Sequence, residues 1–390
     1  MKVLYHFRTR GTGGEGVHIA GIANALVKLG YEIELSSPTG VDPRESQGST
    51  PFSGKEGGGL LSRLAARAPG FLFEFMEVGY NLAAWWRNRG LLEAENYDLI
   101  YERHAFFLFS TALLARRFKI PLVVEVNELV CDERIRKQPL LKPVALWSDR
   151  FLLGRADRVV VVSPHLKRRI VELGIEEGKV IVLPNAIDEV AFSEVGGGQR
   201  VREKFSLGSS VVIGFVGWLV HWHNLPGLVS GLARVRDQGY DAKLLMVGDG
   251  TLQEELEAQA AEVGVRDHLV FAGAVTRAEI AEYVCAMDIA TIPQSNAYRS
   301  PLKLFEYMAL ERAVVAPATE PIEMVLRDGE NAVLFDQEDE NGLEKALLRY
   351  LADPGLRART GVQARSDCLA HHTWTANALA SIEGLSGTGS

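Results

Sequence analysis

The feature that most constrains this chain is a rhythm that runs through it twice. Short apolar, β-branched segments alternate with longer amphipathic ones, a pattern that builds parallel sheets joined by crossover helices. In the first half Val3-Leu4-Tyr5-His6-Phe7, Ile33-Glu34-Leu35-Ser36-Ser37, Leu99-Ile100-Tyr101, Leu122-Val123-Val124-Glu125-Val126 and Arg158 to Val162 read as strands. Residues 17–29 read as an amphipathic helix stopped by Gly30. The second half resumes with Val211 to Val216, Ala242 to Val247, Leu269-Val270-Phe271, Ile289 to Ile292 and Ala313 to Ala316. At 390 residues and 47% hydrophobic content the chain can bury two cores, so two α/β domains are expected. The Gly196-Gly197-Gly198 run is expected to mark their connection.

Other classes are disfavoured. No apolar run approaches the ~20 residues of a membrane span. The N-terminus is too short in its apolar part for a signal peptide. Cys131, Cys285 and Cys368 are isolated and odd in number, which suits reduced thiols in a cytosol and offers no metal-ligand spacing. A formal net charge of −8 makes a poor nucleic-acid binder.

The stretch Ser300-Pro301-Leu302-Lys303-Leu304-Phe305-Glu306-Tyr307-Met308-Ala309 carries the most chemistry. Ser300 as N-cap and Pro301 in the first turn would open a helix whose free N–H groups, with Lys303 one turn in, suit an anion. Glu306, a turn further on the same face, can accept hydrogen bonds from a ribose diol. Diphosphate plus ribose means a nucleotide. The same residues also suit an ordinary capped helix with solvated charges.

Six further motifs fall in order: Gly11-Thr12-Gly13-Gly14-Glu15-Gly16-Val17-His18, Asp157 to Ser163, Leu183-Pro184-Asn185-Ala186-Ile187-Asp188, Gly214-Phe215-Val216-Gly217, Val247-Gly248-Asp249-Gly250 and Val270 to Val275. With the Ser300 stretch they resemble the retaining glycosyltransferases of the GT-B fold, family 4, over nearly the whole chain. The resemblance implies two Rossmann-like domains facing across a deep cleft. Residues 1–186 would form the acceptor-side domain, with a C-terminal helix within 372–390 packing back on it, and residues 187–371 the donor domain. It implies a donor of UDP or GDP type as substrate with no cofactor and no metal, and a glycan, lipid-linked or small-molecule acceptor. The expected place is the cytoplasm, with a peripheral contact at the inner membrane face left open. A non-catalytic nucleotide-sugar-binding subunit and a same-fold epimerase or phosphorylase are the rival readings.

Carried over residue by residue, the resemblance places the ribose on Glu306 and the diphosphate on Ser300, Pro301, Leu302 and Lys303. The base falls near Gly248, Gly250 and Val275, with Gly13, Gly14 and Gly217 at the cleft. Three familiar charges are replaced: the first glutamate of the family's pair is Tyr298, the arginine after the Phe-Val-Gly strand is Trp218, and a strand-end histidine is Asn127. The family's lysine aligns with His223. Lys303, aided by His223 or Arg299, is then the expected phosphate-neutralising group, and Lys303, His223 and Asn127 are the catalytic candidates. His104, at a strand's carboxyl end, is a further candidate. Each also has a plainer role: Asn127 as a helix cap, the histidines as surface polar residues, and Trp218 and Trp222 as interface wedges.

Residues 41–59, with seven prolines and glycines, read as a mobile loop. Leu60 to Arg67 and Gly70 to Arg89 mix Phe71, Phe73, Phe75, Met76, Tyr80, Trp85 and Trp86 with arginines. Core packing is the preferred reading of those aromatics, and an interfacial helix on anionic lipid is the alternative. The tail from Gly384 is expected to be disordered.

Overall fold

The computed structural model describes residues 1–9, 11, 13–46, 70–130 and 139–385. Expectations for Leu60 to Arg67, Cys131, most of the 41–59 loop and the end of the tail fall outside these residues. The chain divides into two compact units, one of Met1–Glu45, Glu56–Pro184 and Thr375–Ser390, the other centred on Asn185–Trp374. The Gly196 to Gly198 run lies inside the second unit and not at the join, because Gly198 packs on the backbone of Cys285 and Ala286.

The first unit holds β1 (Lys2–His6), β2 (Glu32–Ser36), β3 (Leu99–Arg103), β4 (Leu122–Val126), β5 (Arg158–Val161) and β6 (Val180–Val182) in the order β2-β1-β3-β4-β5-β6. The second holds β7 (Val211–Val216), β8 (Ala242–Val247), β9 (Leu269–Gly273), β10 (Ile289–Thr291), β11 (Ala313–Pro317) and β12 (Val333–Phe335) in the order β12-β11-β10-β7-β8-β9. Every pairing is parallel. Parallel strands are covered on both faces. In the second unit alternate strand residues accordingly feed two cores: Val212, Leu245, Ala290 and Val314 pack with Phe305 and Tyr307, while Ile213, Leu244, Ile289 and Val315 pack with Leu228 and Leu347.

The last helix spans Trp374–Ile382, in the first unit from Thr375 onward, where Asn377 donates to the Pro184 carbonyl at 2.7 Å and Arg158 to that of Ala380 at 2.9 Å. Among the described residues no helix is long and apolar enough to cross a membrane.

In the helix Gly70–Ala94 the core reading fails for four of the six aromatics, while Tyr80 stacks on the buried His6 and Trp85 is half-buried. Phe71, Phe73, Phe75, Met76 and Trp86 are exposed, whereas Glu74, Asn81 and Asn88 are buried. Backbone demand decides the orientation. Glu74 accepts the N–H groups of Leu140 and Leu141, and Asn81 bridges the Phe107 carbonyl to the N–H groups of Phe109 and Ser110. Buried donors and acceptors left unpaired cost more than exposed apolar surface does.

Candidate nucleotide site

In the second sheet the strand order reverses between β7 and β10, the crevice where open α/β sheets place ligands. The pairing of β10 with β7 ends at Ala290↔Gly214. Beyond it the Val216 N–H donates to the buried Tyr307 hydroxyl at 2.8 Å, so the helix Leu302–Ala309 is anchored at the point where the strand stops. The loops after β7 and β8 touch backbone to backbone. A Cβ on Gly248, at φ +135°, would sit 2.1 Å from the Gly217 carbonyl oxygen, and one on Gly250 2.3 Å from that of Leu219.

Lys303 reaches under this crossing. A Cβ on Gly217 would lie 2.7 Å from its Nζ, which is buried, has no hydrogen-bond partner among the described residues and stands 3.9 Å from the Phe215 ring centroid. Burial, only partly offset by Glu306, pulls the ammonium down to about 7. His223 packs edge-on against the same Phe215 ring at 5.1 Å. Burial first, then the positive charges of Lys303 and Arg299, lower its pKa to about 2, so it is a neutral imidazole and supplies no cation.

Ser300 does not cap the helix. The helix begins at Leu302 with Pro301 in the cap position, and the Ser300 hydroxyl instead accepts the Asn185 N–H at 2.9 Å. Asn185 also donates its side-chain amide to the Ser300 carbonyl, so the Pro184-Asn185 motif holds the loop leading into the helix. The N–H groups of Leu302 and Lys303 stay in the first turn, which lacks intrahelical acceptors.

Glu306 is buried and paired with Arg277, a residue the sequence reading missed. Nothing in a loop arginine 29 positions away signals that partner. Val275, just before it, is buried, and Gly248 donates its N–H to the Gly273 carbonyl at 2.9 Å. Tyr298 is also buried, with the Arg299 guanidinium 5.3 Å from its ring centroid. Trp218 and Trp222 are exposed.

Gly13, Gly14 and Asn127 belong to the first unit. The glycines open the helix Gly13–Lys28. The Asn127 amide donates to Glu125 at 2.7 Å. Burial alone would push the Glu125 carboxyl up, but His18 at 2.8 Å, Arg103 and Asn127 outweigh it and hold it at about 2. A lone glutamate inside the apolar strand Leu122–Val126 was the available signal for this cluster. His104 pairs through Nε2 with the buried Asp149 at 2.9 Å. His6, also fully buried, lies 2.8 Å from Glu102 and 3.1 Å from the Tyr80 hydroxyl.

Two doubly wound units of this topology define the GT-B class. Residues 13–186 match the glycosyl transferase 4-like domain and residues 210–353 the glycosyl transferases group 1 domain. The chain belongs to this glycosyltransferase family. It is 25% identical over 384 residues to a D-inositol 3-phosphate glycosyltransferase of Xylanimonas cellulosilytica, covering 92% of this chain and 88% of that one. It is 30% identical over 199 residues to the 2-deoxystreptamine glucosyltransferase of Streptomyces kanamyceticus, an alignment spanning 48% of this chain and 50% of that one. Among solved structures, the HepE protein of Anabaena in complex with UDP superposes with a TM-score of 0.69 at 17% identity, over 97% of this chain and 98% of that one.

Proposed function

We propose that this glycosyltransferase is retaining and metal-independent, and moves a hexose from a UDP- or GDP-type donor to a hydroxyl of a glycan, lipid-linked or small-molecule acceptor. The observation that carries this reading is the Lys303 ammonium, buried and, among the described residues, without a hydrogen-bond partner beside the first turn of a helix at the switch point. As the anomeric bond breaks, its electron pair passes to the diphosphate, and negative charge grows where a cation and N–H dipoles already stand. Each such donor is worth ~3 kcal/mol of barrier. Charge neutralisation by the protein removes the need for a divalent ion. In a retaining transfer the departing phosphate itself takes the acceptor proton, so no separate base is needed.

A non-catalytic binding subunit is the second reading, favoured by Trp218, Tyr298 and Asn127 standing where the family's charges would be. Incubating the purified protein with a panel of nucleotide sugars, with and without a chelator, separates the two. Chelator-resistant transfer or donor hydrolysis, with the product's anomeric configuration kept, is expected. Donor binding without turnover on any sugar would favour the second reading. The exposed aromatic face of Gly70–Ala94 supports a lipid-linked acceptor at the inner membrane face.

A further inference from the structure

Glu306 carries more structure than a ribose ligand requires. Its side chain is 5% exposed and that of Arg277 17%, and the guanidinium donates to Glu306 Oε1. The same guanidinium stands 5.1 Å from the ring centroid of Phe192, itself buried. The loop carrying it is closed by Thr276, whose N–H and hydroxyl both donate to Glu279 Oε2, at 2.9 and 2.7 Å. An aromatic surface on the guanidinium and a carboxylate at its edge leave the planar fork little freedom. A carboxylate offers two oxygens and about four lone pairs. Arg277 takes Oε1, and among the described residues no protein donor takes Oε2.

We propose that Arg277 is a positioning residue. It keeps Glu306 turned so that Oε2 is left for the vicinal diol of a nucleoside diphosphate, and the site thereby selects ribose over deoxyribose. This rests on reading Glu306 as the ribose ligand. Without Arg277 the carboxylate loses the donor that fixes its orientation, and Oε2 is no longer held toward the diol.

The test is calorimetric binding of UDP and GDP and of their 2′-deoxy and 3′-deoxy forms to the full chain. The unmodified protein is expected to prefer at least one ribose form over a deoxy form by about tenfold, the scale of one charge-assisted hydrogen bond. Arg277→Met, which keeps the stem against Phe192, should shrink that preference to within about twofold, and adding Glu306→Gln to it should weaken binding no further. Arg277→Lys, which restores charge without the fork, should recover part of the preference. Should Arg277→Met fail to fold, the lysine variant decides, and a full ribose preference there overturns the assignment. A preference unchanged in Arg277→Met overturns it directly. Failure of the unmodified protein to bind either ribose diphosphate overturns the donor reading instead.

Discussion

Lys303→Met separates what this lysine does for the fold from what it does for a ligand. Methionine keeps the unbranched stem and can lie on Phe215, so the substitution removes charge without opening a cavity. A tenfold change in proton affinity is about 1.4 kcal/mol. The fall of the ammonium from 10.5 to about 7 means that the folded chain binds fewer protons than the unfolded chain between those values. Below about pH 7 the full cost of burying the charge is present, and it fades as pH rises toward 10.5. The methionine variant should therefore be the more stable protein at pH 6, with its advantage shrinking steadily above neutrality.

Nucleotide binding should behave in the opposite sense. A diphosphate within contact distance restores the ammonium, so binding takes up a proton wherever the empty site is deprotonated. At pH 8 a group titrating near 7 is about nine-tenths deprotonated, and uptake should approach one proton per nucleotide; at pH 6 it should be about a tenth. Calorimetry of UDP and GDP in buffers of different ionisation enthalpy reads this number directly. Turnover of Lys303→Met should fall by about a hundredfold. Equal proton uptake at pH 8 by the unmodified and methionine proteins would refute the reasoning.

Two other outcomes are expected. Gly248→Ala should lower the melting temperature and weaken nucleotide binding, because its Cβ would meet the Gly217 carbonyl at 2.1 Å, while Gly239→Ala, at φ +89° with open space around it, should carry only the ~1 kcal/mol cost of strain; equal losses in thermal melts would refute the crossing argument. Trp86→Ser, at a position 63% exposed, should leave stability within ~0.5 kcal/mol yet reduce cosedimentation with anionic vesicles, and no vesicle binding by the unmodified protein would remove the membrane contact.

The sequence carried the central strands and the charged helix well, for a physical reason. Strands such as Ala242–Val247 and Val211–Val216 are buried on both faces and read as apolar runs, so their bounds are visible. The edge strands Val180–Val182 and Val333–Phe335 are three residues each, too short to show a period, and exist because a neighbouring strand pairs with them. Helical spacing revealed that Gly70–Ala94 is two-faced but not which face turns inward, since that was set by backbone groups of Leu140, Leu141 and Phe109 far along the chain. Lys303 and Glu306 were legible because they sit one turn apart on one helix. Ser300 was misread as a cap because its partner, Asn185, is remote in sequence.

The displaced charges have a consequence for the proposed chemistry. Trp218 and Tyr298 bring no charge, and His223 stays neutral well into acid. The positive charge near the end of β7 thus falls to Lys303 and Arg299, and the Lys303 ammonium is buried against an aromatic ring and the backbone of Gly217. A cation permanently fixed there would destabilise the empty protein, since Glu306 offsets only part of the cost of its burial. A lysine that titrates near neutrality avoids that cost when the site is empty and regains its charge when a diphosphate arrives. On the donor reading, the group that stabilises the leaving phosphate is then switched on by the substrate itself, and replacing Lys303 with an arginine, which cannot shed its proton, should destabilise the empty protein while leaving the bound one charged.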